Sequence, residues 1–290
     1  MRWQLGRRSD NVEDRRGTGP AGGGFKIGGL GLVIVVVISL LTGQNPLKLL
    51  GLLMEQTQTA QVNQPAPGRQ GPQANDEQKQ FISTVLADTE DTWSQVFQQM
   101  GRTYENPRLV LFSDAVQSAC GTASSASGPF YCPLDNQVYL DLAFFEELDR
   151  RFGAPGDFAQ AYVVAHEVGH HVQNQLGIAE KVHNLQEQSR SQEEANNLSV
   201  KMELQADCLA GVWGYYAKQR QILEPGDVEE GLAAAAAVGD DRIQRQAGRS
   251  VSPESWTHGS SEMRVSWFNR GFQSGQINSC DTLKSRRSGQ

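Results

Sequence analysis

His166, Glu167 and His170 stand in the spacing H-E-x-x-H within the run Tyr162-Val-Val-Ala-His-Glu-Val-Gly-His-His171. Residues four apart share one face of an α-helix, offset by a turn. Two neutral imidazoles so placed can reach a single Zn²⁺ at ~2.1 Å. Glu167 follows the first of them directly and flanks the ion without closing its coordination. A carboxylate there can take a proton from water and pass it to a leaving amine. Val163, Val164 and Ala165 suit a buried helix, the setting this motif requires.

A catalytic zinc keeps three protein ligands and an open position. The H-E-x-x-H-x-x-G-x-x-H continuation would need Gly at 173 and His at 176, but Gln173 and Leu176 stand there. A second long helical stretch carries Glu203 and Asp207, again four apart. That layout suits Glu203 as third ligand, with Asp207 hydrogen-bonded to the far nitrogen of a ligand imidazole. Read alone, an E-x-x-x-D pair is a solvated helix face. Here Met202, Leu204, Ala206, Cys208, Leu209, Val212 and Trp213 surround it, and a buried carboxylate pair needs a partner such as a metal.

The remaining histidines are weighed by position. His171 lies about 140° around the helix from His166 and reads as a histidine that packs or supports a ligand from behind, not as a ligand itself. His183 follows a helix stop and is a poor ligand candidate. His258, in Thr-His-Gly-Ser-Ser, could stabilise the oxyanion of a tetrahedral intermediate, or it could cap or pack a loop. Arg264, Tyr215 and Tyr216 are weaker candidates for the oxyanion role.

Several elements must position these groups. Phe81, Val85, Leu86, Trp93 and Val96 form a helical stripe, so the folded domain starts near Lys79. Strands are expected at Leu109–Phe112 and, by alternation after the Asp135-Asn136 turn, at Val138–Leu142. Helices are expected at 143–152, 157–176 capped by Asp157, 193–219, 226–238 capped by Asp227, and from 260–261 to 272. A small sheet followed by helices is an α+β pattern. The Val138–Leu142 strand could take an extended peptide by strand addition, provided one of its edges is open.

The net charge of −7, without a basic stripe interleaved with aromatics, argues against nucleic acid as a partner. Residues 1–26 are polar and rich in Gly and Arg, and read as a tail. The uncharged run Ile27–Leu41, extended to residue 43, reads as a transmembrane helix, somewhat short against the ~20 residues a bilayer asks. A cleaved signal peptide and a buried helix are the alternatives. Basic residues before the run place the tail inside and the rest outside, in one pass. Residues 44–78 read as a linker, since 55–78 hold almost no large apolar side chains. Cys120, Cys132, Cys208 and Cys280 all follow this segment, and an even number outside favours disulfides. Three pairings exist; Cys120–Cys132 would close a Gly/Ser-rich loop, and Cys208–Cys280 would then staple the C-terminus to the second long helix. Four buried thiols are the other reading.

The chain resembles the bacterial neutral zinc metallopeptidases of the YpfJ type over nearly its whole length. The likeness runs through Met1-Arg-Trp-Gln, Ser9-Asp-Asn-Val-Glu-Asp-Arg-Arg16, Thr89-Glu-Asp-Thr-Trp93, Gly128-Pro-Phe-Tyr-Cys-Pro133, Met202-Glu-Leu-Gln-Ala-Asp-Cys208, Gly239-Asp-Asp-Arg242 and Ser266-Trp-Phe-Asn-Arg-Gly-Phe272. It implies a gluzincin-like zinc site of His166, His170 and Glu203, and a single-pass location in the bacterial inner membrane. It implies no particular substrate. The expectation is therefore an α+β zincin-like domain at 79–290, tethered outside the membrane by 27–43. It would hydrolyse peptide bonds in peptides or proteins with Glu167 as general base. The rival reading is a non-catalytic binding or scaffold protein stabilised by zinc.

Overall fold

The structure is a computed structural model that describes residues 1–17 and 76–284. Its sheet has four strands in the order β1 (Val12–Asp14), β2 (Arg108–Phe112), β6 (Gln137–Asp141), β5 (Phe130–Cys132). β2 is apolar at four successive positions, Leu109 to Phe112, because both of its faces are covered. β6 runs parallel to β2 and antiparallel to β5, and Asn136 takes the left-handed turn conformation (φ 57°) between β5 and β6. Both edges of β6 are thus hydrogen-bonded, which removes the expectation that Val138–Leu142 adds a peptide strand. Among the described residues the sheet ends on β5 instead. A separate antiparallel pair, β3 (Ala115–Ser118) and β4 (Gly121–Ser124), is tied to β5 by the Cys120–Cys132 disulfide.

The N-terminal residues depart from expectation. β1 pairs in parallel register with β2, Val12 against Leu109 through Asp14 against Leu111. Trp3 meets Phe81 edge to face at 5.5 Å, and Arg7, Ser9 and Asn11 all hydrogen-bond the buried Glu90. Residues 1–16 therefore belong to the folded unit, which does not begin at Lys79. The expected tail 1–26 divides at this point. A single membrane crossing between them would put the paired strands β1 and β2 on opposite sides of a bilayer, so the single-pass arrangement is incompatible with this sheet. The run 27–43 itself lies outside the described residues, as do the linker residues 44–75. Among the described residues no helix is long and apolar enough to cross a membrane. The end of the linker is helical: Asp76 caps α1 (Glu77–Gln99) by accepting from the Lys79 amide.

The helical half follows the expected order as α2 (Ala143–Arg150), α3 (Asp157–Gln175), α5 (Gln192–Gln219), α6 (Asp227–Ala237) and α8 (Ser261–Ser274). Two short helices, α4 (Ile178–Glu187) and α7 (Asp240–Gln246), were not distinguished by periodicity. Asp157 and Asp227 are first residues rather than caps; Gly156 and Gly226 take the cap positions. Trp93, Trp213, Phe158 and Phe268 fill the core where α1, α3, α5 and α8 meet.

Two close approaches set the helix spacing. A Cβ at Gly169, inside the H-E-x-x-H turn, would stand 3.0 Å from the Ala206 carbonyl oxygen, inside the Glu203–Asp207 turn. Glycine there lets α3 lie against α5 with the two motifs face to face. On the far side of α5, a Cβ at Gly211 would meet the Phe268 carbonyl at 2.0 Å, and one at Gly271 the Cys208 carbonyl at 1.9 Å. α5 and α8 therefore touch backbone to backbone, and the Cys208–Cys280 disulfide secures the turn that follows α8.

Candidate metal centre

The turn of α3 that carries H-E-x-x-H faces the turn of α5 that carries E-x-x-x-D. Nε2 of His166 lies 3.2 Å from Glu203 Oε2, and Nε2 of His170 lies 3.4 Å from Glu203 Oε1. The three ligand atoms His166, His170 and Glu203 offer lie within 4.8 Å of one another. Behind them, Nδ1 of His166 meets Asp207 Oδ1 at 2.9 Å, and Nδ1 of His170 meets Gln173 Oε1 at 2.9 Å. Each imidazole thus has its far nitrogen engaged and its Nε2 turned to a shared point. Two imidazoles and a carboxylate, converging with outer partners in place, are a donor set that fits zinc.

Asp207 is fully buried, and its charge is matched by Arg264 from α8, Nε to Oδ2 and Nη2 to Oδ1, each at 2.8 Å. The Tyr162 hydroxyl also donates to Asp207. Burial works against ionisation of Asp207, but Arg264 and His166 outweigh it and hold the carboxyl at about 2. Burial likewise opposes charge on His166, yet Asp207 and Glu203 push it up to about 10. Burial opposes charge on Glu203 as well, and the two histidines hold it well below the carboxylate range. Protons and a divalent cation would compete for these same lone pairs. Glu167 behaves in the opposite way: burial raises its carboxyl, against the pull of His166 and His170. A carboxyl raised in this way, lining the same cleft as the ligand residues, suits proton transfer.

Glu167, both histidines and Glu203 open into a cleft of about 470 Å³. One wall comes from Gly128, Pro129, Phe130 and Tyr131, the other from Val163, Ala179 and Met202. His258 stands on its rim, half exposed, with its backbone N–H donating to Asp240 Oδ2 and Nδ1 3.3 Å from Asp240 Oδ1. The hydrogen bond to Asp240 raises the His258 imidazole above its ordinary value, despite burial.

Arg264 is not free for an oxyanion: its guanidinium is 3% exposed and holds Asp207, the Tyr162 hydroxyl and the Val238 carbonyl. Tyr215 and Tyr216 line a different depression, beside Gly275 and Gln276. His171 packs as expected, with its ring nitrogens on the Tyr131 hydroxyl and the Glu105 carbonyl. His183 is exposed and pairs with Glu187 one turn along α4, away from the cluster. A second convergence, Asp157 with Asp227 and Glu230, is met by the Met1 amino group at 2.7 Å from Asp157 and 3.3 Å from Asp227. Sequence reasoning missed Tyr162, Gln173 and Gln205. For Tyr162 and Gln173 the available signal was position, one turn from His166 and from His170; Gln205, two residues from both Glu203 and Asp207, carried none.

A helix-borne H-E-x-x-H completed by a carboxylate from a second helix, at the floor of a cleft, is the constellation of a zinc-dependent hydrolase. A family model described as "Putative neutral zinc metallopeptidase" matches residues 1–283, and the chain belongs to that family, whose cofactor is zinc. The chain is 50% identical over 288 residues to the uncharacterized protein YpfJ of Escherichia coli, covering 98% of this chain and 99% of that one. It is 45% identical over 226 residues to an uncharacterized protein of Mycobacterium tuberculosis, covering 74% of each. No solved structure matches the chain.

Proposed function

We propose that this chain is a zinc metalloendopeptidase in which His166, His170 and Glu203 hold the ion and Glu167 moves the proton. The observation that carries this reading is the convergence of both Nε2 atoms on the two oxygens of Glu203, with Glu167 opening into the same cleft. Zinc held there supplies a Lewis acid for the scissile carbonyl and lowers the pKa of water toward ~7. Glu167 accepts the proton of the attacking water and returns it to the leaving amine. His258, whose imidazole the hydrogen bond to Asp240 raises above its ordinary value, donates to the oxyanion from the rim. Asp207 orients His166 and makes it a stronger donor.

An endopeptidase is favoured over an exopeptidase because Arg264 is the one Lys or Arg lining the cleft among the described residues, and Asp207 already holds it. Among the described residues no lysine or arginine there is spare for a terminal carboxylate. An extended substrate fits best along β5, the last strand of the sheet order and a wall of the cleft. The apolar run 27–43 supports attachment to the bacterial inner membrane. Such attachment leaves residues 1–16 and 76–284 on one side, since they share a fold. Two disulfides favour the extracytoplasmic side.

The test pairs metal analysis with Glu167→Gln. Both proteins should hold about one zinc, and cleavage of a quenched peptide should fall by roughly 10²–10⁴-fold in the variant. Equal cleavage by both overturns the mechanism. A wild type that holds zinc and cleaves nothing returns the chain to the scaffold reading.

A further inference from the structure

Gln173 stands three residues after His170 on α3 and is fully buried. Its Oε1 lies 2.9 Å from His170 Nδ1. Its amide nitrogen donates to the Met202 carbonyl at 2.8 Å and to Gln205 Oε1 at 3.1 Å. The Gln205 amide nitrogen in turn donates to the Cys280 carbonyl at 2.9 Å.

The two ends of this chain can only accept. Main-chain carbonyls carry no proton, so the Cys280 carbonyl must face the NH₂ of Gln205. That turns Gln205 Oε1 toward Gln173, and Gln173 must answer with its own NH₂. The Met202 carbonyl imposes the same orientation independently. Gln173 Oε1 is thereby the atom left facing His170, and an amide oxygen can only accept from Nδ1–H. With the proton fixed on Nδ1, the lone pair of His170 resides on Nε2, the atom turned toward Glu203.

We propose that Gln173, its polarity set by Gln205 and the Met202 and Cys280 carbonyls, is the positioning residue that fixes His170 as an Nε2 metal ligand. This rests on the reading of His170 as a zinc ligand. The relay ends on a residue covalently tied to α5, since Cys280 is bonded to Cys208 one residue past Asp207. Both outer partners of the site are therefore anchored to the same stretch of α5.

The test uses the full-length protein carrying Gln173→Leu, which keeps size and removes the acceptor, and Gln205→Leu, which removes the upstream link. Zinc affinity is read by chelator competition, and ligand geometry by the visible spectrum of the cobalt-substituted protein. Gln173→Leu should bind zinc roughly 10–100-fold more weakly and shift the cobalt bands. Gln205→Leu should fall between wild type and Gln173→Leu. Unchanged affinity and spectrum in Gln173→Leu overturn the assignment. Should Gln173→Leu fail to fold, Gln205→Leu decides: wild-type affinity with an unshifted spectrum overturns the relay. A wild type that binds no zinc removes the metal reading as a whole, whereas a zinc-binding wild type unmoved by these variants removes only the role of Gln173.

Discussion

The two imidazoles of the site are supported from behind by unlike chemistry. His166 rests on an ion pair, Asp207 with Arg264, while His170 rests on two neutral amides, Gln173 and Gln205. An anion behind an imidazole orients it and also strengthens it as a donor; an amide only orients it. Charge explains why one of each is a sound solution. Glu167, Glu203 and Asp207 already bring three carboxylates together, against the single guanidinium of Arg264. A fourth carboxylate behind His170 would be buried without a matching cation, and an unpaired buried charge is strongly disfavoured. Glutamine keeps the geometry without adding charge.

The sharpest way to break this contrast is Asp207→Asn. It leaves Arg264 buried without its counter-charge, so the metal-free protein should lose about 3–5 kcal/mol of stability in a denaturant titration. Zinc affinity should fall by a further 10–100-fold or so. Adding Arg264→Leu should recover much of the stability and none of the affinity. Recovery of both would mean that Asp207 acts on the fold alone.

The amide side should answer to its anchor. Replacing Cys208 and Cys280 together by Ser opens a closure of 72 residues, worth up to ~4 kcal/mol on the entropy model. Zinc affinity should weaken less than in Gln173→Leu, because the Met202 carbonyl still orients Gln173. A loss as large as that of Gln173→Leu would mean that the Cys280 end governs the relay.

The smallest effect separates protons from metal. Burial disfavours charge on His166, but Asp207 and Glu203 raise it to about 10, above the ordinary 6.5. Its contribution to the metal-free fold is therefore full below 6.5 and is lost as pH rises through about 10. Glu203 is held well below 4.5, so its contribution is present above 4.5 and fades only in stronger acid. Zinc must displace the histidine protons. The rise in melting temperature on adding zinc should thus grow between pH 6.5 and about 9. A gap that stays constant over that range argues against histidine ligands.

Much of the site was legible because its information is local. Four-residue spacing within one helix sets the relation of His166 to His170, and of Glu203 to Asp207, whatever surrounds them. The apolar neighbours of Glu203 and Asp207 marked them as a pair turned inward. Other features carried no local signal. Val12–Asp14 contains two acidic residues and no alternation, and only its pairing with β2 makes it a strand. Gln173 served at first merely to exclude another ligand pattern, and Arg264 looked like a group free to meet substrate. Among the described residues the strand at the end of the sheet beside the cleft is β5 rather than β6, because strand order is decided by partners far apart in sequence.

Residue spacing along the chain thus settled which side chains share a helix face, since the α-helical repeat is a property of the backbone and needs no neighbour. Packing settled the rest. The approaches at Gly169, Gly211 and Gly271 bring three helices within backbone contact, and from that contact follow the third ligand, the cation behind Asp207 and the amide relay behind His170. Those meetings join residues 29 to 75 apart in sequence, and they exist only where chain segments are close-packed in space.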